Sequence, residues 1–311
     1  MNIILTAIGS MSALCAIEHL HKAGHLVIGC DIYPKEWHYE ASLCDVFEQA
    51  PLPTSETYVP FLLKLAEGNN VKYIFPLTDL EIDKLNKYRT IFEEKGICLC
   101  MPSEDTLAIA RDKYALHCKF KDDDMVMSVP TYTSGGDLSD LSYPCIAKPR
   151  GGRSSEGLVY VQNAEQLKNY LNDTSYIFQE IIKGNVCTID YVRNSHDHTS
   201  FCVPREELLR TKNGAGTTVR VFHNASLEAL VEHIGETLNI NGAVNMEFIC
   251  QDGFYYLIDI NPRFSAGIAF SCRTGYDFVN AHLACFCGEA IPNKIKFNER
   301  LDVKYFTESN V

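Results

Sequence analysis

The sequence predicts an α/β unit followed by α+β lobes, on three observations. Short apolar strands alternate with helical stretches over residues 1–103, the pattern of a parallel sheet with crossover helices. Residues 142–161 then run strand, glycine/serine-rich loop, strand, and residues 245–263 read as two apolar strands around an Asp252-Gly253 turn. The length of 311 residues exceeds a typical single domain, so two or three units are expected, and 46% hydrophobic residues can give each a core.

In the first unit, strands are expected at residues 3–7, 25–30, 73–76 and 97–101, with a helix over 12–23. Gly9 and Asp31 have the outline of a dinucleotide fingerprint. Gly9 is followed by Ser-Met-Ser-Ala-Leu, however, so the later glycines are missing and a nicotinamide cofactor is not expected. Thr78, Asp79 and Glu81 follow the strand at 73–76, where open sheets bind ligands. A helix N-cap with an acidic first turn explains them slightly better, and the two roles are compatible. Pro102-Ser103 opens the next helix, with Arg111, Asp112 and Lys113 inside it or near its end. Taken alone, Lys113 is an exposed helix charge. The charge run at 119–124 is solvated, and further helical stretches are expected at 226–238 and from 281 to 287.

The hairpin at 245–263 carries acidic residues where a sheet interior is normally apolar, and buried carboxylates need a cation or donors to compensate them. Asp259 and Asn261 are two apart and share a face. Glu247 joins that face only if the loop has an odd number of residues, which a three-residue loop Gln251-Asp252-Gly253 satisfies. Two carboxylates and an amide oxygen would then form a hard, all-oxygen Mg²⁺ site. Taken alone, a hairpin with a wet acidic edge explains the same residues equally well. In the loop after Lys148, the residues Gly151, Gly152, Ser154, Ser155 and Gly157 offer N–H groups and hydroxyls for a phosphate, and Lys148 ends the preceding strand. A flexible loop is again an equal alternative. It is not a Walker A loop, since no Gly-Lys-Ser/Thr opens a helix after it.

Together with residues 176–184, these motifs resemble the ATP-grasp superfamily of carboxylate–amine ligases, and most closely stand-alone proteins similar to the carbamoyl phosphate synthase large subunit. The order is the family's: Lys113, then Lys148 with the glycine loop, then Gln179-Glu180-Ile181-Ile182, then Glu247, then Asp259, Asn261 and Arg263. The resemblance covers essentially the whole chain. It implies a Rossmann-like pre-ATP-grasp domain over 1–103 and a two-lobed ATP-grasp domain over 104–311. The small nucleotide-covering lobe would lie at about 125–182 and the metal- and substrate-binding lobe at about 183–311. It further implies ATP with Mg²⁺ (Mn²⁺ as the alternative ion), phosphorylation of a small-molecule carboxylate, and attack of an amine on the acyl phosphate. Lys113, Lys148 and the loop would meet the phosphates, 179–182 the adenine, and Glu247, Asp259 and Asn261 the metal. Arg263 would be catalytic with Lys148 and would face the transferred phosphoryl group. Arg205, from a segment whose arginines sit near the ligands, would hold an anionic substrate, though a surface salt bridge fits it about as well.

Two positions depart from the family. The acidic residue that binds ribose after the hinge is replaced by Asn185, Val186 and Cys187, which leaves Asp190 as the suggested contact. The metal position usually held by glutamate is Asp259. A carbamoyl phosphate synthase-like enzyme and a non-catalytic ATP-binding regulator are the competing readings. The net charge of −12 argues against nucleic acid or an anionic membrane as partner. Thirteen cysteines scattered through apolar segments look like reduced core residues of a cytoplasmic protein, and Cys98-x-Cys100 and Cys285-x-Cys287 lack zinc-site spacing. The apolar runs are too short to span a membrane. A homodimer is compatible with this picture.

Overall fold

The structure, a computed structural model, describes residues 1–152 and 156–308. The strands β1 (Asn2–Leu5), β2 (Leu26–Asp31), β3 (Val46–Gln49), β4 (Tyr73–Phe75) and β5 (Cys98–Leu99) form a parallel sheet in the order β3-β2-β1-β4-β5. Its strands are apolar on both sides because both faces are covered. Ile4, Ile28 and Ile74 pack with Leu62 and Leu85 of flanking helices. Ile3, Leu5 and Phe75 pack the other way, with Ile17, Leu20 and the helix Phe278–Cys287 of the last lobe. The first unit therefore shares a core with the end of the chain. The strand expected at 3–7 stops at Leu5, and Ala7 turns at a positive φ of 47°. Strand β3 escaped the sequence reading because it is a half-exposed edge with little apolar alternation.

Thr78 caps the helix Asp79–Asn86 in a capping box with Glu81, as the acidic first turn suggested. Ser103 caps the helix Glu104–Ala110, which ends before Arg111. Asp112 then caps a separate helix, Lys113–Phe120, accepting from the N–H groups of Tyr114 and Ala115. Lys113 is thus the first residue of a new helix and not part of the preceding one.

A short β6 (Met127–Ser128) precedes β7 (Thr131–Thr133), β8 (Cys145–Pro149), β9 (Val159–Val161) and β10 (Tyr176–Glu180). The last four form a sheet in the order β7-β10-β8-β9, while β6 pairs with the far sheet. That far sheet joins β11 (Asn185–Arg193), β12 (Ser200–Arg210), β13 (Gly216–Val221), β14 (Gly242–Gln251), β15 (Phe254–Asn261) and β16 (Arg300–Val303) in the order β16-β13-β12-β11-β14-β15-β6. The helix Ala225–Thr237, capped by Asn224, covers one face. The other face looks at the four-stranded sheet across a cleft. No helix among the described residues is long and apolar enough to cross a membrane.

Candidate active site

The cleft encloses a cavity of about 490 Å³, and strand alternation decides what faces it. On β8, Cys145 and Ala147 enter the small lobe's core, which leaves Ile146 and Lys148 for the cleft. On β11 and β14, Cys187, Ile189, Met246 and Phe248 pack beneath the helix Ala225–Thr237. Val186 and Ile249, which are register partners, therefore give the cleft an apolar stretch, and two residues along Thr188 partners Glu247.

The hairpin places Glu247 directly opposite Asp259, and Asn245 opposite Asn261, all lining the cavity. It does so differently from the expected three-residue loop. Gln251 pairs with Phe254, so the turn is only Asp252-Gly253, both at positive φ (52° and 84°). An even turn alone would oppose Glu247 to Ile258. The register instead shifts between Glu247 and Phe248, with Phe248 paired to Leu257, so Ile258 is the extra residue of a β-bulge. Leu257 stays in the core while Ile258 and Asp259 both line the cleft.

Charges converge here. Lys113 Nζ lies 3.4 Å from Asp259 Oδ2, and Arg210 Nη2 3.4 Å from Glu247 Oε2. Burial pushes the Glu247 carboxyl up, and the Asp259 charge pushes the same way against Arg210. Burial also lowers the Lys148 ammonium to about 8, with Asp259 opposing that shift and Lys113 adding to it. Two facing carboxylates, with Glu247 held up against ionisation, suit a hard cation, so the residues fit Mg²⁺ through Glu247 and Asp259. Asn261 turns its amide N–H₂ toward Glu247 Oε1 (3.3 Å), while its oxygen accepts from Arg263 Nη2 (3.2 Å).

Two expected site residues, Arg263 and Arg205, line the cavity but are engaged in ion pairs, and a third, Asp190, lies behind it. Arg263 makes a two-point ion pair with buried Asp79 of the first unit (3.2 and 3.0 Å), so its guanidinium bridges the units while bordering the cavity. Burial raises the Asp79 carboxyl, but Arg263 and Arg111 outweigh it and hold the group low. Arg205 is neither a surface ion pair nor an exposed anion receptor. It is buried, 1% exposed, and paired with Asp190 and Ser271, with Thr188 Oγ1 at 3.3 Å and Ser265 Oγ at 3.2 Å. Asp190 is consequently spent on Arg205, Ser271 and Asn245 and does not line the cavity, which excludes it as a ribose contact.

In the hinge, Gln179, Glu180 and Ile182 line the cavity but Ile181 does not, and the Gln179 amide donates to Thr131 Oγ1 (2.7 Å). Gly152 lines the cavity and Gly151 does not. Gly157, at φ +73°, is packed where a Cβ would come within 3.0 Å of Pro149, so its absence of side chain serves the turn. Ser154 and Ser155 lie outside the described residues. The sequence reading missed Arg210 as a partner of Glu247, and missed Glu207. Glu207 Oε1 accepts from Thr188 Oγ1 (2.5 Å), while its Oε2, buried against Gly216, has no hydrogen-bond partner among the described residues. Arg210 and Glu207 both lie in the segment with Arg205 that the resemblance puts near the ligands, but placing them in the cleft needed the register of β11 with β12.

Comparison with known proteins identifies this arrangement. The model of the ATP-grasp domain matches residues 110–267, half of the chain. The chain belongs to the ATP-grasp family. A second model, the PylC-like N-terminal domain, matches residues 3–100 of this ATP-grasp chain. A D-alanine–D-alanine ligase of Petrotoga mobilis is 25% identical over 228 residues, 66% of this chain and 76% of the relative. The carbamoyl phosphate synthase large chain of Agathobacter rectalis is 24% identical over 171 residues, 49% of this chain but only 16% of the relative's length. In fold, the ATP-grasp chain is similar to the biotin carboxylase domain dimer of Hydrogenobacter thermophilus 2-oxoglutarate carboxylase, solved with MgADP, ADP and bicarbonate. That match has a TM-score of 0.81 at 18% identity and covers 96% of this chain and 73% of the other.

Proposed function

We propose that this ATP-grasp ligase, using ATP and Mg²⁺, joins a small-molecule carboxylate to a nitrogen nucleophile through an acyl phosphate. The observation that carries the reading is the Glu247–Asp259 pair facing the cleft beside Lys113 and Lys148. The likeness to a D-alanine–D-alanine ligase, whose name joins two amino acids, supports it. Oxide is too poor a leaving group for direct amide formation, so a carboxylate oxygen takes the γ-phosphoryl group and the bond to ADP breaks. The nitrogen lone pair then attacks the acyl carbon, phosphate leaves and a proton is released. Both steps spread charge over oxygens, which makes positioning and electrostatics the protein's task.

Glu247 and Asp259 would hold the metal, with Asn261, whose oxygen accepts from Arg263 and whose amide N–H₂ faces Glu247, as a further ligand only after its amide turns over, and Mn²⁺ would suit the same hard oxygens. When bound, the ion supplies neutralisation of phosphate charge. Lys113 and Lys148 neutralise the remaining phosphate oxygens. Ile146, Ile182, Val186 and Ile249 wall the adenine, and Glu207, which also lines the cavity, replaces the missing carboxylate at 186–187 toward the ribose hydroxyls. Arg263 borders both the main cavity and a smaller one of about 270 Å³ lined by Ser10, Ser12, Thr78 and Asp79, and there it orients the substrate carboxylate. Arg205, buried and paired with Asp190, also lines the cavity, so it would meet an anionic substrate only with the part of its guanidinium that faces the cleft. The dimer named for the Hydrogenobacter domain supports a homodimer as the assembly.

The test is ADP and phosphate release by purified protein with MgATP across a panel of carboxylates paired with amines and amino acids. Substrate-dependent ADP formation, lost in Asp259→Asn, is expected. Protein that binds MgATP yet releases ADP with no carboxylate in the panel would favour a non-catalytic nucleotide sensor, and protein that binds no MgATP would remove the reading.

A further inference from the structure

Away from the cleft, one cluster has no part in this chemistry. Cys15 and His19 are four apart on the helix Ala13–Lys22 and share its inward face. Cys272 closes the helix Ile268–Cys272 on the last lobe. The Sγ atoms of Cys15 and Cys272 and a ring nitrogen of His19 all lie within 4.8 Å of one another, and both cysteines are buried. His19 Nδ1 is itself buried. It stands 2.9 Å from Asp277 Oδ1, an ion pair when the ring is protonated, and makes no well-aligned hydrogen bond among the described residues. Asp277 is fixed by the next helix, where Asn280 donates its amide to Asp277 Oδ2 (2.7 Å) and to His19 O (3.0 Å).

We propose that Cys15, Cys272 and His19 bind a soft-to-borderline divalent metal, of which Zn²⁺ is the best match, with Asp277 as fourth ligand or as the carboxylate that orients the histidine. The chemistry of the donor set points there. Two sulfurs and an imidazole suit zinc and exclude magnesium or calcium. Ligands ~2.3 Å (sulfur) and ~2.0 Å (nitrogen) from a tetrahedral centre stand ~3.5–3.8 Å apart, so the cluster needs only a small contraction. A carboxylate at the imidazole is the usual outer support of a zinc-bound histidine. The placement gives the ion a purpose. It would tie the first unit to the segment 263–277, whose beginning lines the cleft, by bonds that do not involve the nucleotide.

The experiment uses the full chain, reduced with a phosphine and freed of metal, titrated with Co²⁺ and then displaced with Zn²⁺. One Co²⁺ per chain with intense thiolate-to-cobalt charge transfer and tetrahedral visible bands is expected. Ions held at Glu247 and Asp259 have only oxygen ligands and give neither, so Asp259→Asn must leave the bands in place. Cys15→Ser, Cys272→Ser and His19→Ala should each weaken Co²⁺ binding by more than about tenfold, and Asp277→Asn by about ten- to a hundredfold. Exposed Cys118→Ser should change nothing. If the variants fold poorly, the unmodified chain still decides, because bound Zn²⁺ must protect Cys15 and Cys272 from alkylation as read by mass spectrometry. Absence of thiolate bands, bands surviving intact in Cys272→Ser, or alkylation indifferent to Zn²⁺ overturns the proposal.

Discussion

Replacing Asp259 with asparagine separates charge from shape. The side chain keeps its size at its place opposite Glu247, so the core beneath, Leu257 and Ile260, is untouched. Two electrostatic terms change in opposite directions. The contact to Lys113 at 3.4 Å is lost, and both partners are partly exposed (12% and 22%), so this costs about 1 kcal/mol or less. The repulsion that helps push Glu247 up is also lost, which returns a similar amount. The net change is within about 1 kcal/mol, a shift in Tm of roughly 2–4 °C at most. Catalysis has no such compensation. Losing ~3–4 kcal/mol of phosphate-charge stabilisation lowers kcat by ~10²–10³. The assay is ADP release at saturating ATP over a Mg²⁺ titration, with calorimetric melting of the same preparation. Turnover equal to the parent's would reject the metal role, and loss of the melting transition together with activity would make Asp259 a structural residue.

Burial depresses Lys148 to about 8, so its charged form is disfavoured in the fold, and the associated stability is present above the unfolded lysine range and lost as pH falls through about 8. Bound phosphates need that charge, so ATP affinity should weaken as pH rises through about 8, with proton uptake on binding in calorimetry; Lys148→Arg should flatten the profile, and a flat profile in the unmodified protein would contradict this. Glu247 is shifted upward, so without metal the protein should lose stability as pH rises from the unfolded carboxyl value through the folded one, and Mg²⁺ should restore more stability the higher the pH. A Mg²⁺ effect on Tm that is the same at every pH would count against the site. Asp79→Ala leaves Arg263 and Arg111 without their buried partner and should cost about 3 kcal/mol while also raising KM for the carboxylate; an unaltered Tm would show the bridge is idle. Glu207→Ala should collapse the preference for ATP over 2′-deoxy-ATP in kcat/KM, and a preference of about a hundredfold surviving the change would place the ribose contact elsewhere.

The sequence made some of this legible and hid the rest for physical reasons. Spacing within one strand is local information, which is why Asp259 and Asn261 could be placed on one face, and why Lys148 could be read at the end of its strand. Capping is local too, as at Thr78. Pairings between strands depend on register, and register depends on turns and bulges. Glu247 was assigned to the correct face by parity, but through a longer loop than the chain uses. The Arg205–Asp190 pair and the placement of Glu207 arise from the register of β11 with β12, and the Arg263–Asp79 bridge spans 184 residues of chain. None of these leaves a periodic trace. Lys113 was read from its order among the motifs, while its position as the first residue of a new helix rests on Asp112, a cap too close to the preceding helix end to stand out.

A regular strand hands each of its neighbours every second side chain, so it cannot present two consecutive ones to the same ligand. At Ile258 and Asp259 this chain does so, because the bulge stalls the alternation for one step. A nucleotide changes along its length from a flat hydrocarbon-like ring to a cluster of anions. The bulge sets a branched alkyl group and a carboxylate side by side on one backbone, so on the proposed reading a single residue of chain would cross from the environment a base prefers to the one a cation-bound phosphate requires. A regular strand would have to spend three residues on the same pair, and this one does it within a peptide unit.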